Sequence, residues 1–311
     1  MDQSRIAAEF ALGEPIGPFE VVASGEQGRV WRLDTDRGRF AVKELVARQT
    51  EAGAHADVAY QEAIRAQTDI IMPAPIRTRT GCVLADIDGD QVRAYTWLDL
   101  LTSDVMIDPA SVGEIVAQIH GVRFEPAGPL DDWYTEPLGK ELWLEFGRAL
   151  TASGMPLADA VEREIPGLIA LEAHIGPAES LQNCHRDLFA DNILPIAEGG
   201  LSVIDWENCG LEEPGQELAM VLVEFGYDDP ARVEPLSGAY RDAGGIGALR
   251  GRASFTMTIA VFGHFYEMAA REWLDPHATD ATRAHAVRRF EELLARPLTI
   301  DIIDGILDAV G

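Results

Sequence analysis

His185-Arg186-Asp187 is followed after four residues by Asn192, and beyond a glycine turn the apolar run Leu201-Ser202-Val203-Ile204 delivers a second acid, Asp205. A carboxylate, an amide oxygen and a second carboxylate in this order suit phosphoryl transfer from a magnesium nucleotide. That reaction asks the protein for placement and charge rather than covalent chemistry. Asp187 suits the position beside an attacking hydroxyl, whose proton it would accept. Asn192 and Asp205 suit Mg2+, a hard cation that takes oxygen ligands, uses one or two carboxylates and fills its shell with water and phosphate.

The segment Cys184 to Leu194 resembles the catalytic loop of the aminoglycoside phosphotransferase and choline-kinase-like family, and the pattern runs from about Phe19 to Asp205 with good markers. The resemblance implies an α+β, two-lobed, protein-kinase-like fold with an antiparallel N-terminal sheet, one helix beside it and a mainly helical C-terminal lobe. It places the nucleotide between the lobes and divides the chain into 1–98, a nucleotide-binding lobe, and 99–311, a helical lobe with the catalytic loop and the substrate site. Arg186 departs from the glycine frequent in small-molecule kinases and matches the protein-kinase form. The stretch Trp206 to Leu218, however, has no Ser, Thr or Tyr for regulatory phosphorylation, nor Asp-Phe-Gly or Ala-Pro-Glu.

The elements expected to position these residues begin with a short helix over Ser4 to Leu12. Strands over Phe19 to Ala23 and Arg29 to Leu33 follow, joined by Ser24-Gly25-Glu26-Gln27-Gly28. A glycine-bearing hairpin lets backbone N–H groups approach phosphate oxygens, which makes Ser24, Gly25 and Gly28 nucleotide contacts. The next strand, Arg39 to Leu45, carries Lys43, expected on the α- and β-phosphates. A helix over Asp57 to Thr68 brings Glu62, expected in kinase order to hold Lys43 in place. Asp-Gly within Asp86 to Asp90 joins a hairpin. In the resemblance Thr96, Trp97 and Leu98 form the hinge that receives the adenine edge, with Tyr95 or Trp97 flanking the base.

Asp108-Pro109 starts a helix that ends in Ile119-His120-Gly121, with His120 a packed residue. Further helices are expected over Leu138 to Leu150, Leu157 to Ala173, Glu217 to Phe225, Ala253 to Trp273, Ala281 to Ala295 and Ile300 to Val310. Gly244 to Arg250 imitates a dinucleotide fingerprint but has Arg at the third glycine position and no strand before it. Glu207 either helps hold a metal or pairs with a basic neighbour. Glu217 stands where the family often has Asp and is left outside the catalytic set.

The 52 acidic and 25 basic residues give a net charge of −27, which disfavours nucleic acid. Such charge serves solubility or gathers a cationic small molecule. Glu213, Glu267 and Asp275 are candidate contacts for such an acceptor, although Glu267 and Arg271 are spaced to pair with one another. No apolar run suits a membrane span, the N-terminus lacks an export pattern, and Cys82, Cys184 and Cys209 read as reduced thiols, so a cytoplasmic location is expected. The family resemblance implies an ATP- or GTP-dependent, Mg2+-requiring kinase of an aminoglycoside or other cationic antibiotic. A kinase of an amino sugar, choline or homoserine is second. A protein kinase and a non-catalytic scaffold follow at a distance.

Overall fold

The computed structural model describes residues 1–25, 28–125 and 128–311. Glu26 and Gln27, the tip of the expected phosphate hairpin, lie outside the described residues. In chain order the elements are α1 Gln3–Glu9, β1 Glu20–Gly25, β2 Gly28–Thr35, β3 Gly38–Leu45, α2 Glu51–Gln67, β4 Pro75–Ile76, β5 Ala85–Ile87 and β6 Asp90–Thr96. They continue with α3 Pro109–Gly121, α4 Asp132–Thr135, α5 Lys140–Ala152, α6 Ala158–Glu172, β7 Gln182–Cys184, β8 Ile193–Pro195, β9 Leu201–Val203 and β10 Gly210–Glu212. The last are α7 Pro214–Phe225, α8 Pro230–Asp242, α9 Thr256–Leu274, α10 Asp280–Ala295 and α11 Ile300–Val310. The class is α+β, with an antiparallel N-terminal sheet and a helical remainder.

Two compact units emerge. The first comprises Met1–Asp104, a short stretch beginning at Val122, and Phe189–Cys209; the second comprises Val105–Gly121, Gly128–Leu188 and Gly210–Gly311. The division read from the sequence, 1–98 and 99–311, differs because the β8–β9 hairpin is tied back to the N-terminal part. Leu101 N–H donates to Pro195 O at 2.8 Å and Val203 N–H to Ile71 O at 3.1 Å. The segment carrying Asn192 and Asp205 therefore belongs to the first unit.

In the first unit β1, β2, β3, β6 and β4 lie in that order, all antiparallel, and β5 pairs with β6. The β5–β6 turn is the expected Asp-Gly, with Asp88 at φ 57° and Gly89 at φ 100°, the left-handed pair that a tight hairpin needs. Alternation along β3 sends Val42 into a core with Ile6, Phe10, Leu33, Val92 and Ala94 and turns Lys43 to the opposite face. Gly28 is required by packing. A Cβ there would lie 1.9 Å from the Glu44 carbonyl oxygen of β3.

Helix α2 starts at Glu51, six residues before the expected Asp57, because Thr50 caps it by accepting from Gly53 N–H at 3.1 Å. Its buried stripe is Ala54, Val58, Gln61 and Ile64. Glu62 falls off that stripe, so the helix that was expected to aim it at Lys43 turns it outward.

The second unit is built on α9, which packs against α4, α5, α6, α7 and α10. Nearly every residue of α7 is buried, as its unbroken apolar run requires. Helix α8 has no counterpart among the expected elements. Pro235 inside it interrupts the apolar period, although Asp229 caps it by accepting from Ala231 N–H at 3.0 Å and Pro230 occupies the first turn. Strand β7 pairs with β10, Cys184 opposite Gly210 and Gln182 opposite Glu212. No helix among the described residues is long and apolar enough to cross a membrane.

Candidate active site

In the first unit, the turn after β9 places two acids against Lys43. Asp205 adopts a left-handed conformation, φ 64° and ψ 55°, and a single 3-10 turn over Trp206–Asn208 follows. Lys43 Nζ forms a short ion pair with Asp205 and lies 3.1 Å from Glu207 Oε2. Asn192 is buried, and its carbonyl accepts from Ile204 N–H at 3.0 Å, which fixes the residue beside Asp205 to the residue before β8. The structure thus brings together Lys43, Asn192 and Asp205 within one unit.

Glu62 is corrected. It pairs with Arg77 at 3.2 Å, with its side chain 48% exposed, and the carboxylates at Lys43 are Asp205 and Glu207. Glu207 is deeply buried and accepts from Tyr95 Oη at 3.0 Å, and Arg93 Nη1 stands 3.8 Å away. Tyr95 is therefore committed to this network. Trp97 instead donates to Asp99 Oδ1 at 2.7 Å, with the Arg39 guanidinium 5.6 Å from its ring. Thr96 ends β6 and is bonded to Ala74 through both its backbone N–H and its hydroxyl. Leu98 follows outside the strand, with its carbonyl accepting from Leu100 N–H at 3.1 Å. Ser24 and Gly25 are exposed at the end of β1, and Gly25 pairs with Gly28.

Electrostatics in this cluster are dominated by burial and by an excess of negative charge. Burial alone would lower the Lys43 ammonium, but Glu207 and then Asp205 outweigh it and hold the group above its ordinary value. Burial and then Glu207 push the Asp205 carboxyl well above the usual range, against the pull of Lys43. Glu207 is held well below that range, because Lys43 above all overcomes its burial. A site in which one buried lysine faces two carboxylates, with Asn192 tied through its backbone to the same turn, has the charge and the residue types that a divalent cation satisfies. Mg2+ fits this donor set.

In the second unit, β7 leads into His185, Arg186 and Asp187. Asp187 is half-buried and follows Arg186, which holds a left-handed φ of 64°. The loop is anchored through Arg186 twice. Its backbone N–H donates a short bond to the buried Glu217 Oε1, and its guanidinium lies over the Tyr134 ring at 4.3 Å. A Cβ at Gly210 would stand 2.5 Å from that guanidinium, so a side chain there would have to displace it. Glu217 also accepts from His120 Nε2 at 2.7 Å, while His120 Nδ1 bonds the Tyr240 hydroxyl at 2.8 Å. Burial would raise Glu217, and the bond to His120 more than reverses it. Cys184 completes a buried group with His120 and Glu217, but the direct His120–Glu217 bond makes it a hydrogen-bond network.

Glu207 and Glu217 are the buried acids at these two clusters that sequence reasoning kept at a distance. The signals were present: Glu207 stands two residues after Asp205, and Glu-Leu-Ala has one methylene more than the family's Asp-Leu-Ala. Of the candidate acceptor contacts, Glu213 Oε2 accepts from Glu179 N–H at 2.7 Å, and Glu267 is shared between His264 at 3.0 Å and Arg271 at 2.6 Å. Asp275 closes a local turn by accepting from His277 N–H at 2.8 Å. Each of the three makes at least one contact within the unit.

Glu212 on β10 is fully buried. One oxygen accepts from Glu213 N–H at 2.8 Å and the other meets no hydrogen-bond partner among the described residues. Burial pushes its carboxyl up to about 7 from an ordinary 4.5, with Glu217 adding to the rise and Arg186 opposing it. The folded state therefore holds the proton more tightly than the unfolded chain. Its stabilising effect is complete below about pH 4.5 and is lost as pH rises through about 7. Glu212→Gln keeps the accepting oxygen and removes the ionisation. At pH 8 it is expected to raise stability by on the order of 3 kcal/mol, at about 1.4 kcal/mol per tenfold change in proton affinity. That corresponds to a Tm higher by roughly 5 °C, with no gain at pH 4.5. Calorimetry at the two pH values checks this.

A family model described as the phosphotransferase enzyme family matches residues 18–255. No curated protein sequence matches the chain. Among solved structures, a spectinomycin phosphotransferase in complex with ADP and spectinomycin is similar over 98% of this chain and 96% of its own, with TM-score 0.71 and 12% identity. An amicoumacin kinase in complex with AMP-PNP, Ca2+ and Ami is similar over 94% of this chain and 92% of its own, with TM-score 0.62 and 13% identity. A choline/ethanolamine kinase family protein from Mesorhizobium loti is similar over 99% and 97%, with TM-score 0.56 and 21% identity. At these identities the likenesses establish a shared fold.

Proposed function

Because the chain belongs to the phosphotransferase enzyme family, we propose that it transfers the γ-phosphoryl group of ATP or GTP to a hydroxyl of an aminoglycoside or other cationic antibiotic in the cytoplasm. The observation that carries the nucleotide part of this reading is Lys43 facing Asp205 beside the anchored Asn192. Asp187 accepts the hydrogen bond of the acceptor hydroxyl and takes its proton as that oxygen bonds to the γ-phosphorus. The bond from the γ-phosphorus to the bridging oxygen breaks, and the nucleoside diphosphate leaves with the electron pair. Lys43 holds the α- and β-phosphates, and the backbone around Ser24, Gly25 and Gly28 covers them. Asn192 and Asp205 would hold Mg2+, which when bound neutralises charge on the phosphates.

The net charge of −27 supports a cationic acceptor. It supports equally the second reading, a kinase of an amino sugar, choline or homoserine, since these acceptors also carry an ammonium group. A magnesium-dependent nucleotide-consumption screen over aminoglycosides, peptide antibiotics, amino sugars and amino alcohols separates the two. For the true acceptor, KM is expected to rise several-fold from about 0.1 M to 1 M salt, as the screening length falls from about 10 Å to about 3 Å. Phosphorylation of neutral or anionic compounds only, with no effect of salt on their capture, would discard the cationic acceptor and leave the phosphotransferase standing.

A further inference from the structure

We propose that Glu207 is the carboxylate that positions Lys43 for the nucleotide, in place of a glutamate from α2. This inference rests on the nucleotide-binding role given to Lys43 above. In the β3–β6 ladder Lys43 stands opposite Arg93, and Tyr95 lies two residues along β6 from Arg93. Opposite residues share a face of the sheet, as do residues two apart, so Lys43, Arg93 and Tyr95 all project to the same side. Two buried cations side by side need an anion between them. Glu207 supplies it, with Oε2 3.1 Å from Lys43 Nζ and Oε1 3.0 Å from the Tyr95 hydroxyl and 3.8 Å from Arg93 Nη1.

The arrangement has no slack. The side chains of Glu207 and Arg93 are 3% and 2% exposed. Arg93 is held in turn by Asp57 of α2 at 2.9 Å and by Gln49. Helix α2 therefore reaches the lysine through Asp57, Arg93 and Glu207, while its own Glu62 is engaged with Arg77 at the surface. Asp205 cannot fill this role alone, because it is the carboxylate assigned to the metal. Of the two acids at Lys43, Glu207 is the one whose far oxygen is held by the sheet, by Tyr95 and beside Arg93, so it fixes the ammonium whether or not a metal engages Asp205.

The test is equilibrium binding of ATP in EDTA, which reads the lysine without the metal, followed by steady-state kinetics with Mg2+. Glu207→Gln is expected to weaken metal-free binding by about tenfold or more, the scale of a lost charged hydrogen bond. It should also raise nucleotide KM and leave acceptor KM unchanged. In a Lys43→Met background the same substitution should cost nothing further, because the group it positions is gone. Glu207→Asp should recover part of the loss, and Glu62→Gln should match wild type. Tyr95→Phe, which removes one donor to Glu207 and keeps its charge, should weaken binding a few-fold. It serves as the reporter should Glu207→Gln fail to fold. Unchanged metal-free affinity in Glu207→Gln, or in Tyr95→Phe where that is the folded variant, would overturn the proposal. So would a change confined to the Mg2+ requirement, which would make Glu207 a metal ligand, or a loss in Glu62→Gln. A wild-type chain that binds no nucleotide would instead overturn the reading of Lys43 itself.

Discussion

Asp187→Asn is expected to lower turnover by roughly a hundredfold or more, within the 10²–10⁴ that positioned general-base catalysis contributes, while nucleotide affinity stays near that of the wild type. The amide has the shape of the carboxylate and still accepts a hydrogen bond, so an acceptor hydroxyl can be oriented but not deprotonated. The loop is expected to survive the change because its anchors lie elsewhere: Glu217 on the Arg186 N–H, Tyr134 beneath the guanidinium, and β10 beside β7. Lys43, Asn192 and Asp205, the residues proposed to hold phosphate and metal, belong to the other unit. Single-turnover measurements with acceptor, beside nucleotide titration, separate the two effects. Turnover unchanged within error would remove Asp187 from the role of base.

Much of the fold was legible because its signals are local. Alternation along Arg39 to Leu45, Asp-Gly in the β5–β6 turn and Asp108-Pro109 at the start of α3 are each read within a few residues, and each element formed where expected. The failures have two causes, one local and one long-range. Glycine at 53 suppressed the first two turns of α2, where a Thr50 cap outweighs the weak helix propensity of one glycine. Strands β7 and β10 have three residues each, too few for periodicity, and only their pairing across the chain defines them.

The same distinction governs the site. Asp187, Asn192 and Asp205 fall in one compact sequence pattern. Glu62 was assigned by order along the chain, and order does not say which way a helix faces. A stripe set by Ala54, Val58, Gln61 and Ile64 turned it to solvent. The lysine's second partner came from an acid whose two possible roles the sequence left open, since only the sheet register brings Arg93 and Tyr95 around Glu207. Glu217 illustrates the opposite case. Its extra methylene was taken as grounds to set it aside, yet its side chain, wholly buried, reaches both the Arg186 N–H and His120.

Asp205→Ala is expected to remove magnesium-dependent nucleotide binding, with a loss of at least about a hundredfold, since even the outer partners of metal ligands typically carry 10–100-fold in metal affinity. The side chain contributes one of the two oxygen donors assigned to the metal, and Asn192, a neutral amide, cannot replace its charge. The fold should persist for a specific reason. With Asp205 gone, Lys43 keeps Glu207 at 3.1 Å, so the deletion leaves a paired lysine rather than a buried charge without a partner. Removing Asp205 also removes the carboxyl that burial and Glu207 push well above its usual range, an unfavourable group in the metal-free protein. The variant should therefore be no less stable than wild type in EDTA while failing to gain stability from magnesium and nucleotide together, because ligand that binds only the folded state stabilises in proportion to its saturation. Calorimetric titration in magnesium and thermal unfolding with and without ligand read the two halves independently. Equal magnesium-nucleotide affinity in the variant and the wild type would show that Asp205 is not the metal's carboxylate.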